Sequence, residues 1–151
     1  EVSNWARTPA DACRHNLAYW RSADWWGIGP GAHSYLGPRF KATGQALPAR
    51  RWWNVKHPLA YSRRLADGQD PAQEHEMLGA DELALERIML GVRLAEGLAV
   101  TDVPAERRER MAGLIAGGLV EGKAAAGPSR RVILTRRGRL LADSVIRELA
   151  P

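Results

Sequence analysis

The segment His15-Asn16-Leu17-Ala18-Tyr19-Trp20 gathers an imidazole, a phenol and an indole within one short run. A neutral imidazole nitrogen can bind a metal, and Tyr and Trp rings can cover a flat conjugated molecule while their polar tips find partners at its edge. The same residues also suit an ordinary hydrogen-bonded histidine at the rim of a core, and the segment alone leaves both readings open. A second segment, Gly27-Ile28-Gly29-Pro30-Gly31-Ala32-His33-Ser34, has glycines that permit positive backbone angles and close approach of main chain to a ligand, with Pro30 stiffening the turn. Such a turn can cradle a nucleotide or simply end a strand. It lacks the strand-to-helix setting of a dinucleotide fingerprint. In Arg51-Trp52-Trp53-Asn54 the adjacent tryptophans would face opposite sides of a strand, and the Arg51 fork suits a carboxylate ligand or a surface ion pair equally. His33, His57 and His75 form no i, i+3 or i, i+4 pair with one another or with His15, which argues against a metal site built from the set.

These segments need elements to hold them, and the aromatic distribution suggests two kinds. All six tryptophans lie between Trp5 and Trp53, and no aromatic follows Tyr61. The first part, rich in Gly, Pro and Trp, reads as strands and loops, whereas the aliphatic remainder reads as helical. Pro58 suits the first position of a helix that Gly68 ends. Asp70-Pro71 restarts the chain, and His75 falls in an expected helix start. From Asp81, residues Leu85, Ile88, Met89, Val92 and Ala95 form one apolar stripe of a helix that Gly97 closes. Pro104 opens another helix with Met111, Leu114 and Ile115 on one face, broken by Gly117-Gly118. The runs 119–121 and 132–134 read as a hairpin wing. Thr135 then caps a last helix carrying Leu141, Val145 and Leu149.

Composition is that of a globular chain, with 45% hydrophobic and 26% charged residues among 151 and a formal charge of +5. No run approaches the roughly 20 apolar residues of a membrane span, and no leader opens the sequence, so a cytoplasmic setting is the expectation. A single cysteine, Cys13, excludes an internal disulfide or an all-cysteine metal site. Arg107, Arg108, Arg110, Arg130, Arg131, Arg136, Arg137 and Arg139 could neutralise phosphates, but interspersed acidic residues argue for a solvated surface, and a nucleic-acid partner is not expected.

HNxxYW, GIGPGAHS and RWWN, in this order and at these gaps, resemble the radical-SAM haem chaperones of the HemW type, relatives of oxygen-independent coproporphyrinogen III oxidase. The likeness runs from Glu1-Val2-Ser3-Asn4-Trp5-Ala6 to the carboxyl terminus. It implies an α+β fold in which closing strands of a radical-SAM (β/α) barrel, residues 1–57, join through connector helices at 58–79 to a winged-helix-like C-terminal domain at 80–151. It further implies haem binding, with His15 as iron ligand, Asn16 orienting the loop or ring, and Tyr19 and Trp20 stacking. Backbone atoms of Gly29, Gly31 and Ala32 would approach S-adenosylmethionine, in a turn following the last barrel strand. The family's 4Fe-4S cluster is held by a CxxxCxxC motif, which this chain lacks. The chain, starting at Glu1, is therefore expected to be the carboxyl-terminal part of a longer protein and inactive in radical chemistry by itself. Implied partners are haem, haem-accepting proteins, the missing N-terminal barrel part and a second copy of the chain. Coproporphyrinogen III oxidase chemistry in porphyrin biosynthesis is the alternative within the family, and a basic winged-helix nucleic-acid module the alternative outside it.

Overall fold

The computed structural model describes residues 5–40 and 45–151, so Glu1 to Asn4 of the opening motif lie outside the described residues. Helices and strands are mixed throughout. The elements are α1 (Arg14–Trp20), β1 (His33–Leu36), β2 (Arg39–Phe40), β3 (Ala46–Leu47), β4 (Ala49–Asn54), α2 (Pro58–Ala66), β5 (Ala72–Leu78), α3 (Ala80–Gly91), β6 (Leu98–Ala99), α4 (Arg110–Ala116), α5 (Gly122–Ala126), β7 (Arg131–Val132), α6 (Arg136–Leu140) and α7 (Ala142–Leu149). They fold as two compact units, one of residues 23–79 and the other of 1–22 with 80–151. The segment HNLAYW thus belongs to the unit of the later helices, a different grouping from the division at 57 and 79.

In the 23–79 unit, β4 is the central strand of a three-stranded sheet ordered β1-β4-β5. Both pairings are antiparallel, with Ser34 opposite Trp52 and Trp52 opposite His75. Strands of a (β/α) barrel run parallel, so these ladders are not successive barrel strands. The GIGPG turn also precedes β1 instead of following a strand, and it joins β1 to the isolated bridge of Trp25 with Tyr35. Residues 72–78, expected in a helical connector, form β5. Their alternating Gln73, His75 and Met77 against Glu74 and Glu76 satisfy the backbone by pairing with β4, a long-range choice that local pattern does not reveal. The helix at Pro58 does form and ends as expected, with Gly68 at φ +68° after its C-terminus.

In the other unit, Ile88 from α3, Val92 just after it, Met111 and Leu114 from α4, and Val145 and Leu149 from α7 surround Val103, Val120, Val132 and Leu134 in one apolar core. The α3 stripe is narrower than expected. Leu85, Met89 and Ala95 are exposed and the helix stops at Gly91, because the chain must turn there to form β6. A Cβ on Gly91 would lie 2.7 Å from the Leu98 side chain, so glycine is what allows that approach. Gly97, rather than closing a helix, lets β6 lie against β7, since a Cβ there would sit 2.2 Å from the Val132 carbonyl. The expected hairpin is reduced to a single bridge between Val120 and Leu134, with α5 inside the connection and β7 paired to β6. Thr135 caps as expected, its hydroxyl accepting from the Gly138 amide at 3.0 Å. The last helix is split at Leu141, which is exposed, while Val145 and Leu149 are buried.

Candidate functional site

HNLAYW folds as α1, a helix of seven residues. So short a helix is marginal by itself and needs tertiary contacts. At its C-terminal end Arg21 donates through Nε and Nη2 to Glu96 Oε1 at 2.9 and 2.8 Å, tying the motif to the turn after α3. Desolvation raises the Glu96 carboxyl pKa, but the Arg21 hydrogen bond, the residue's own backbone amide and the charges of Arg21 and Arg131 outweigh it and hold that pKa below its ordinary value. On the approach, Thr8 donates through its amide and hydroxyl to Asp11 Oδ2, fixing the turn that enters α1.

The helix separates the four residues singled out for haem. His15 and Tyr19, one turn apart, are both exposed, and their rings meet edge to face with centroids 4.7 Å apart. Asn16 and Trp20, with Cys13 and Leu17, lie about 100° per residue around the helix and line a cleft of 220 Å³ on its other side. Trp5, Arg93, Leu94 and Arg139 complete most of its wall. Sequence reasoning did not find these residues. Trp5 lies fifteen residues before Trp20, and the arginines come from the turn after α3 and from α6, so no local spacing joins them.

GIGPG and RWWN prove to be one structure. Buried Asn54 donates through Nδ2 to the Gly29 carbonyl at 2.9 Å, and its main-chain amide donates to Ala32. Gly29 and Gly31 take φ of +110° and +68°, which glycine alone adopts without strain. The three amides proposed for cofactor contact are already used: Gly29 N-H donates to Tyr61 Oη at 3.1 Å, Gly31 N-H to Val55 O at 3.0 Å and Ala32 N-H to Gly29 O at 3.3 Å. The turn therefore has no free amide to offer from these three residues. Ser34, Asn54 and Tyr61 hold it shut, and Ser34 Oγ accepts from Gly27 N-H at 2.9 Å.

On the sheet, the two tryptophans of RWWN take different neighbours. Trp52 is buried edge-on to Trp26 and lies under Arg50, while Trp53 stacks on His33 at 5.7 Å. Arg51 bonds Glu76 Oε1 at 2.8 Å and covers the Tyr35 ring, so its fork is committed within the sheet. Among the basic residues, Arg108 donates to the carbonyls of Val103 and Thr101, Arg137 to Gly117 and Arg131 to Glu96, so these arginines bind carbonyl ends of the chain's own backbone. Among the described residues no group of three or more His, Cys, Asp or Glu could hold a metal ion, and Cys13 stands exposed. This donor set does not fit an iron-sulfur cluster. No helix among the described residues is long and apolar enough to cross a membrane.

Compared with known proteins, the chain is 46% identical over 149 residues to a heme chaperone HemW of Mycobacterium tuberculosis, a match covering 99% of this chain and 34% of that protein. It is 32% identical over 121 residues to a heme chaperone HemW of Synechocystis, covering 77% of this chain and 26% of the relative. A mitochondrial radical S-adenosyl methionine domain-containing protein 1 of Dictyostelium discoideum is 31% identical over 111 residues, covering 67% of this chain and 25% of that protein. No family model and no solved structure matches. The chain spans about a quarter to a third of the length of the HemW relatives it matches. At such identity over nearly all of its residues, the chain belongs to the HemW family of heme chaperones.

Proposed function

We propose that this chain is the carboxyl-terminal part of a radical-SAM haem chaperone, that it binds haem iron through His15, and that the complete protein delivers haem to acceptor proteins in the cytoplasm. The observation that carries this reading is α1 itself: an exposed imidazole, with no hydrogen bond to its ring among the described residues, braced only by the edge of Tyr19. An imidazole so presented can accept a metal without first breaking a bond. The names of the relatives support haem as the cargo. S-adenosylmethionine and the 4Fe-4S cluster then belong chiefly to the remaining two-thirds of such a protein, whose barrel the 23–79 unit would adjoin. The order α3, β6, α4, the Val120–Leu134 bridge and β7 supports a winged-helix-like reading of the 80–151 region.

The test is haem titration of the full-length protein and its variants. His15→Ala should weaken haem binding at least tenfold and move the Soret band, and Trp20→Ala should weaken it less. Unchanged affinity and spectrum in His15→Ala would return HNLAYW to a purely structural role.

A further inference from the structure

We propose that the cleft on the far side of α1 is a separate carboxylate-accepting subsite for a planar conjugated ligand. Its walls combine the Trp5 and Trp20 rings with the Leu17 and Leu94 side chains, which suits a flat apolar surface. Two arginines reach it. Arg93 is already engaged by Asp143 from α7, but the Arg139 guanidinium has no ion pair or side-chain hydrogen bond among the described residues. Among the described residues no carboxylate side chain lines the cleft to neutralise Arg139. A guanidinium fork matches a carboxylate with two parallel hydrogen bonds, and Asn16 places an amide in the same wall. At 220 Å³ the cleft is smaller than the roughly 300–1,000 Å³ of sites that enclose a whole ligand. It admits a carboxylate arm and the adjoining ring edge, not a complete macrocycle.

The same geometry sets this site apart from His15. A ring lying flat on the His15 and Tyr19 face cannot enter the cleft, because the helix between them is about 10 Å across. HNLAYW thus presents two faces, one with an imidazole for a metal and one with an indole beside an arginine whose side chain has no partner among the described residues. That the conjugated carboxylate is a porphyrin propionate rests on the haem reading above, so the experiment uses iron-free porphyrin, to which His15 ligation contributes nothing.

Binding of mesoporphyrin IX and of its dimethyl ester to the full-length protein, both free of iron, separates the terms. Arg139→Gln should weaken the free acid roughly tenfold, the effect of losing a charge-assisted hydrogen bond, and leave the ester as it binds the parent protein. Arg139→Lys should restore most of the loss, and His15→Ala should change neither ligand. Arg139 is exposed, and unaltered thermal unfolding of both variants checks that the fold is kept. Equal affinity of Arg139→Gln and parent for the free acid, an equal loss with the ester, or no binding of either porphyrin overturns the subsite. Failure of His15→Ala to alter haem itself, with the Arg139 effect present, overturns only the iron-ligand reading.

Discussion

At the residue scale, neighbours in sequence part company in space. His15, Asn16, Tyr19 and Trp20 were legible as a chemical group, but which of them act together is set by helical rotation, and α1 was not foreseen as the helix that turns two of them outward and two inward. Asn54 shows the reverse, since it was legible only as the last letter of RWWN. Its partners Gly27 and Gly29 are more than twenty residues away, and only the fold brings its amide to their carbonyls. Asn54→Ala should cost about 1–3 kcal/mol, the usual penalty for a buried hydrogen-bonding group left unmatched, read as a lower thermal midpoint. Glu96 gives a pH-dependent test. Its carboxyl pKa in the folded chain lies below the ordinary 4.5, so its stabilising contribution is present above that value and is lost as the pH falls through the lower folded one. Because Arg21 and Glu96 are both largely exposed, the effect is about 0–1 kcal/mol. Glu96→Gln should flatten the corresponding part of the acid stability profile while leaving the slope near neutral pH unchanged.

At the element scale, ends were easier to read than pairings. Pro58 and Gly68, Gly117-Gly118 and the Thr135 cap all act where local chemistry places them, because capping and positive φ depend on adjacent residues. The strands β5 and β6 were missed, and the run at 132–134, expected to pair with 119–121, begins in β7 and pairs there with β6. Of these three strands β6 and β7 are only two residues long, and each exists by virtue of a partner distant in sequence. Gly97, expected to close a helix, instead marks a crossing of chains, and Gly138, to which the sequence pointed in no way, marks another. A Cβ on Gly138 would lie 2.0 Å from the Leu119 carbonyl, so α6 can pass that backbone only without a side chain. Gly138→Ala should therefore destabilise the chain by about 1–3 kcal/mol despite alanine's higher helix propensity. A stabilised variant in urea unfolding would mean that the crossing is looser than described.

At the scale of the whole molecule, the mixed α and β character and the change from aromatic to aliphatic packing were visible in composition. The grouping of 1–22 with 80–151 was not, since it depends on the Arg21 to Glu96 link and on the cleft around Trp20. With one cysteine and no metal-binding cluster among the described residues, the isolated chain should form no iron-sulfur centre. Anaerobic reconstitution with iron and sulfide should leave S-adenosylmethionine uncleaved, and 5'-deoxyadenosine above background would refute this. The central claim is that His15 meets haem iron. Its most direct measurement is nitrogen hyperfine spectroscopy of the ferric haem complex of the full-length protein, with histidine labelled by nitrogen-15. We expect a strongly coupled imidazole nitrogen that disappears in His15→Ala and persists in the His33, His57 and His75 alanine variants. Persistence of that coupling in His15→Ala would contradict the claim.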